Sequence, residues 1–396
     1  MQLAEEVMQK IEDEKPRIVN LLSDLIEFKS ITGSSDEKKA AQYIKKTMQD
    51  FGYDEVFTDS IGNVIGKIGD GPKTILYDAH LDVVDVTKEE WDTDPFTPVI
   101  EDDYIIGRGA MDDKGPLSSI IYAGKIIKDL NLAQDYTIYI SASVSEETCE
   151  GLALGSFIEE FDIKPDYVVI AEASNLKICR GHRGRALVKA EFSGKSVHAS
   201  MHKQGDNPLD RALPFAQAVK DLDKELTDDN ILGEGDIVVT KINSNNSSLN
   251  TVPSKAEVIM DRRTNSQDDK ESILRELKGL PHGDEAEISF LMYEDESYNG
   301  YQKKGEEYFP AWILPADDKL IESGVDTYKE LFEDKPTVSV WGFSTNGTHT
   351  MGKLGIKTIG FGPGEESYAH AENERVKISD LLKAVSFYSY LPVSLK

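Results

Sequence analysis

Residues 74–82, "TILYDAHLD", run as a short β-branched and aromatic segment that ends on His80, with Asp82 two positions further on. An apolar run of that length bounded by polar residues reads as a buried strand. Metal-type donors recur in "GRGAMDDKG" (107–115), "SASVSEE" (141–147), "VVIAEAS" (168–174) and "YAHAENE" (368–374). In four of these five segments the donor cluster follows an apolar β-run. In open α/β sheets, ligands bind beyond the carboxyl ends of the strands, so a single pattern predicts both a sheet and a site at its end.

Outward from residue 82 the same rhythm continues. Short β-branched runs alternate with helices such as "PLSSIIYAGKIIKDL" (116–130), which opens with Pro116 in its first turn. The rhythm returns in "TVSVWGFS", "IKTIGFGPG" and the final "ISDLLKAVSFYSYL". This predicts an α/β fold with a mixed, mostly parallel sheet and flanking helices, in a domain split between 1–181 and 294–396. Ahead of it, Val7, Ile11, Ile18, Leu22 and Ile26 recur at helical spacing, and a second helix runs from about Ser35 to a stop at Gly52. Residues 182–293 change to β-α-β-β-α-β, the order of a small ferredoxin-like domain inserted into the first. Residues 294–315 carry no assigned element, and long loops in compact domains are often functional.

At 396 residues, two cores are the natural expectation. The 44 basic residues against 72 acidic ones give a net charge of −28, which repels nucleic acid and anionic membrane surfaces. "MQLAEEVMQKIEDEKPR" lacks the apolar core of a signal peptide, and no run of about 18 apolar residues occurs. A soluble cytoplasmic protein is expected. The two cysteines, Cys149 and Cys179, have neither a disulfide framework nor thiolate-ligand spacing and read as small core residues.

The donor set is His80, Asp112, Glu147, Glu172 and His370, with Asp113 a rival for Asp112 and His349 a rival for His370. Histidine and carboxylate donors without thiolates suit an open catalytic site for a borderline divalent ion, zinc first, with cobalt or manganese as alternatives. Five donors are too many for one catalytic ion. If Asp112 bridges two, His80 with Glu172 and Glu147 with His370 complete the pair, and two such ions can activate a water between them. Neighbouring side chains at a strand end point in opposite directions, so one of Glu146 and Glu147 can ligate while the other carries a proton. Asp82 is placed to hold the second nitrogen of His80.

These motifs, in this order and spacing, resemble the dinuclear metallopeptidase family that contains acetylornithine deacetylase, succinyl-diaminopimelate desuccinylase, the aminoacylases and glutamate carboxypeptidase. The resemblance spans essentially the whole chain. "GHRGRALVKAEF", "EEYFPAWILP" and "GFSTNG" look most like the branch labelled selenium-metabolism-linked hydrolases. By resemblance, the five donors are ligands of two divalent ions per subunit, Glu146 is the catalytic base and Asp82 an outer partner of His80. The inserted domain, 182–293, would be a lid that pairs two subunits. His198 in "GKSVHAS" would reach the developing oxyanion, usually from the partner subunit. Asn250 and Arg263 would bind the substrate, with Arg262 a rival for Arg263. Hydrolysis of an N-acyl amino acid is the expected activity. A di- or tripeptidase or carboxypeptidase is the alternative, and a non-catalytic metal-binding protein a remote third.

Overall fold

A computed structural model describes residues 2–246 and 248–395. Its larger sheet is mixed and runs, in spatial order, Glu55–Thr58, Val64–Ile68, Tyr136–Ser143, Lys73–His80, Tyr167–Ile170, Thr358–Gly360, Ile178–His182 and Trp312–Ile313. Val338–Trp341 also pairs with Ile178–His182. The strand read first, Lys73–His80, lies in the interior of the sheet, parallel to a neighbour on each side. From Ile75 to His80 every residue is buried, because helices cover both faces of a parallel sheet and leave no solvent-facing side.

Register then decides where the chemistry falls. His80 pairs with Ser143 and Asp78 with Ile170. The segments that leave those strands, Ser145–Glu147 and Ala171–Ser174, therefore emerge beside His80 at one end of the sheet. Helices Gln2–Ile26, Lys114–Asp129 and Ile378–Ser394 pack on one another. The apolar positions recognised in the first of them, including Val7, Ile11, Ile18 and Leu22, are buried as their spacing predicts. The second helix is Ser35–Asp50, capped by Ser34, which accepts from the Glu37 N–H.

A smaller antiparallel sheet runs Asp236–Ser244, Lys255–Thr264, Gly184–Ser193 and Glu287–Phe290. Helices Leu209–Leu222 and Lys270–Lys278 accompany it. Along Gly184–Ser193 burial alternates strictly with position, the signature of a sheet with one covered face. Val188, Phe192, Phe215 and Met260 form part of a core separate from that of the larger sheet. A fifth strand, Tyr308–Phe309, joins this sheet from beyond residue 293.

The stretch 294–315 is not a structureless loop. Met292–Glu296 and Gln302–Glu306 form an antiparallel hairpin, closed near Asn299 and Gly300, with Glu294 and Lys304 paired across it at 2.8 Å. Its strands lack apolar alternation because the hairpin lies largely in solvent, and that removed the usual strand signal. The Asn-Gly dipeptide was the signal available. The hairpin crosses to the larger domain: Tyr298 Oη donates to the Gly62 carbonyl at 2.7 Å, and Tyr293 Oη lies 3.1 Å from Thr148 Oγ1.

Candidate metal centre

His80 closes its strand fully buried, with its backbone N–H donating to Asp113 Oδ2 at 2.9 Å. This fixes Asp113 behind the histidine and leaves Asp112 to face the cleft. Asp112 presents one oxygen to each histidine: Oδ1 lies 3.1 Å from His80 Nε2 and Oδ2 lies 3.4 Å from His370 Nε2. Glu172 Oε1 is 3.5 Å from His80 Nε2, and Glu147 Oε2 is 3.0 Å from His370 Nε2. Two donor groups result, His80–Asp112–Glu172 and Asp112–Glu147–His370, each with ligand atoms within 4.8 Å of one another. His349, the rival of His370, is packed against Gly155 away from this cluster.

Glu146 belongs to neither group, yet its Oε2 stands 3.9 Å from His80 Nε2. The turn that separates it from Glu147 starts at Ser145, whose φ of 58° is costly for a residue with a side chain. Asp82 holds that turn: its carboxylate accepts from the N–H groups of Glu146 and Glu147 at 3.2 and 3.3 Å and from Thr32 Oγ1 at 2.7 Å. The nearest partner of His80 Nδ1 is the Asp82 carbonyl at 3.0 Å, with the carboxylate at 3.5 Å. Asp82 thus orients the imidazole chiefly through its backbone and the two glutamates through its side chain.

The loop carrying Asp112 is tied down by Glu374. Its two oxygens accept from Arg108 Nη1 and from the backbone N–H groups of Gly109, Met111 and Asp112, at 2.7 to 3.0 Å. Arg108 also donates to the His370 carbonyl at 3.3 Å. One buried ion pair therefore aligns candidate metal donors from two distant segments. Glu374 ends "YAHAENE", and its one signal in the sequence is an acidic residue four positions after a candidate donor.

The electrostatics suit a cation. Burial, followed by the fields of Asp112 and Glu147, pushes Glu172 up to about 8. Burial and Asp112 push Glu147 up to about 7. Burial, with Glu172, Glu150 and Glu147 nearby, raises Glu146 well above the usual carboxylate range. Burial opposes charge on His80, but its contacts with Asp112 and Asp82 outweigh that and raise it well above an ordinary histidine. The Glu147 Oε1 atom is buried without a hydrogen-bond partner among the described residues. Divalent cations would relieve both the desolvation and the mutual repulsion, so the residues fit a pair of such ions.

The donors open into a cavity of about 290 Å³ that is also lined by Arg185, Arg263, Glu150 and Phe343. Three larger hollows, two of about 610 Å³ and one of about 370 Å³, lie elsewhere and hold no such donor set. Arg263 lines the cavity, whereas Arg262 is buried and paired with Asp268 at 2.8 Å. His198 and Asn250 do not reach the cavity within one chain. They are exposed on the smaller domain, in contact with each other at 3.2 Å. Trp312 is buried edge-on against His182, a packing role.

Residues 76–393 match the model of peptidase family M20/M25/M40. The chain is 36% identical over 391 residues to the uncharacterized protein YgeY of Escherichia coli K12, covering 98% of this chain and 96% of that one. It is 25% identical over 382 residues to a succinyl-diaminopimelate desuccinylase of Nautilia profundicola, with 93% and 98% covered. In fold it is similar to the M20 metallo-carboxypeptidase Sso-CP2 of Sulfolobus solfataricus, at a TM-score of 0.71 and 21% identity over 96% of this chain and 98% of that one. No helix among the described residues is long and apolar enough to cross a membrane. With a family match over most of its length and a five-donor cluster at the end of its central strands, the chain belongs to peptidase family M20/M25/M40.

Proposed function

We propose that this protein hydrolyses the amide bond of an N-acyl amino acid with two divalent ions, zinc first among the candidates. His80, Asp112 and Glu172 would hold one ion and Asp112, Glu147 and His370 the other. The observation that carries the reading is Asp112 offering one oxygen to each donor group while Glu146, outside either group, has an oxygen 3.9 Å from His80 Nε2. Bound there, the ions would supply Lewis acidity and a water of lowered pKa. Glu146, buried and inclined to take a proton, would accept one from the attacking water and return it to the leaving nitrogen. Arg263 would anchor the substrate carboxylate, work to which a guanidinium fork is suited. A cavity of about 290 Å³ accommodates an amino acid or dipeptide rather than a folded chain.

The same reading makes residues 182–293 a lid and the protein a homodimer. Asp236–Ser244 is the edge strand of the smaller sheet, and Leu213, Val238 and Ile242 are exposed around the groove beside it. A second copy docked there would cover this apolar surface. His198 and Asn250, remote from their own cavity, would then serve the partner's site, with His198 donating to the oxyanion. A dipeptidase or carboxypeptidase remains the second reading, favoured by the family name and by the carboxypeptidase fold neighbour.

The test is a panel of N-acetyl, N-succinyl and N-formyl amino acids and dipeptides, assayed with zinc, cobalt and manganese. We expect hydrolysis of N-acyl amino acids, and a Glu146→Ala variant that keeps two ions yet loses about 10²- to 10⁴-fold in turnover. Dipeptide cleavage alone would replace this reading with the second. Near-normal turnover by the variant would refute the role of Glu146.

A further inference from the structure

The lining of the cavity at the metal centre contains a carboxylate that the hydrolytic step leaves unused. Glu150 lies four residues beyond Glu146 and is 8% exposed. Its Oε1 accepts from Arg185 Nη1 at 3.1 Å. Its Oε2 is buried and has no hydrogen-bond partner among the described residues. A buried carboxylate oxygen left unpaired is costly, about 1–3 kcal/mol for an ordinary polar group and more for a charged one. Glu150 lines the cavity, and a buried polar group left unpaired there calls for a partner.

Arg185 does not need Glu150 as its only counter-ion. Glu307 Oε2 stands 3.5 Å from its Nη2, and the guanidinium lies over the Phe309 ring at 5.2 Å from the centroid. The second guanidinium of the wall, Arg263, is matched by Asp261 at 2.9 Å. Each cation on this wall therefore has a carboxylate beside it, and Glu150 keeps one acceptor to spare. A carboxylate on the substrate's side chain would meet Glu150 as a like charge, and an alkyl side chain would bury Oε2 without a partner. An N–H donor satisfies it.

We propose that Glu150, braced by Arg185, is a specificity-determining residue that accepts a hydrogen bond from an N–H group on the substrate's side chain. This rests on the amide-hydrolase reading above and narrows its substrate class to amino-acid derivatives carrying a side-chain amine or amide. The two sources share the donor and differ in charge.

Three Nα-acetyl substrates of similar side-chain length separate the outcomes: those of 2,4-diaminobutyrate (ammonium), asparagine (amide) and norvaline (alkyl). For the metal-loaded wild type, kcat/KM for one or both N–H-bearing substrates should exceed that for norvaline by about ten-fold or more. Glu150→Ala should shrink the ratio to within about two-fold. Glu150→Gln should cut the ammonium preference more than the amide preference, because it removes the charge and keeps an acceptor. Equal preference in the wild type, or a ratio that survives Glu150→Ala, would overturn the proposal. Calorimetric binding of the three free amino acids to wild-type protein should show the same order of preference, without a variant that must fold and without hydrolysis. Should the protein cleave dipeptides but no N-acetyl compound, the N-acyl amino acid reading fails, and the binding preference still decides the role of Glu150.

Discussion

Removing Glu374 should loosen the metal centre without touching a ligand. In Glu374→Ala the backbone N–H groups of Gly109, Met111 and Asp112 lose their acceptor, and the buried Arg108 guanidinium loses its carboxylate at 2.7 Å. Each orphaned buried N–H costs about 1–3 kcal/mol, and a buried charge stripped of its partner about 3–5 kcal/mol. These costs share one relaxation and do not add fully. A net loss of about 5 kcal/mol is expected once water enters, equivalent to a melting point lower by about 10 °C. Glu374→Gln retains an acceptor for two of the N–H groups but sets an amide NH2 against the remaining donors, so it should fall between wild type and alanine. Because Asp112 rides on this loop, affinity for the divalent ions should drop about 10- to 100-fold, the usual effect of losing an outer partner of a ligand. Thermal melts of metal-free protein and competitive titration with a chromophoric chelator read the two effects separately. A melting point within about 2 °C of wild type together with unchanged metal affinity would refute the assignment of Glu374 as the brace of this loop.

Other outcomes follow from the same geometry. In metal-stripped protein, Glu147 and Glu172 sit at about 7 and about 8, above the ordinary glutamate value of 4.5, so the folded state holds their protons more tightly than the unfolded chain. The stability they contribute is present below pH 4.5 and is lost as pH rises through 7 to 8. Melts of stripped protein should therefore weaken from pH 5 to 8, and saturating zinc should abolish that trend; a stripped protein equally stable at both ends would contradict it. Val238→Asp, on the exposed edge strand, should yield monomers by sedimentation. If His198 acts across the dimer, mixing the singly inactive Glu146→Ala and His198→Ala chains should leave about a quarter of the sites intact by random pairing. Absence of any recovery after verified subunit exchange would place His198 in its own subunit's site.

Much of the centre is legible in the sequence. An apolar run closing on a donor fixes a strand end by local chemistry, and the covered sheet permits a strand buried at every position from Ile75 to His80. The five donors were therefore identifiable one segment at a time. Glu374, Glu150 and Arg185 were not, because an acidic or basic residue on a loop has the same local signature whether it is solvated or buried in an ion pair. The hairpin at 292–306 escaped for a related reason: its strands face water and the larger domain, so they never needed the alternation that marks a half-buried sheet.

What the sequence determined by itself is therefore most of the elements and the candidate donor segments, with Asp112 against Asp113 and His370 against His349 left open, since both follow from hydrophobic period and from donor chemistry at short range. What only the tertiary structure decided is register and partnership. Pairing of His80 with Ser143 brings residues 80 and 147 to the same end of the sheet. The packing of residue 374 against residues 108–112, more than 260 positions away, decides which aspartate faces the cleft and what holds it there. Such contacts depend on which surfaces meet when the core closes, a property of the whole chain that no local stretch of residues encodes.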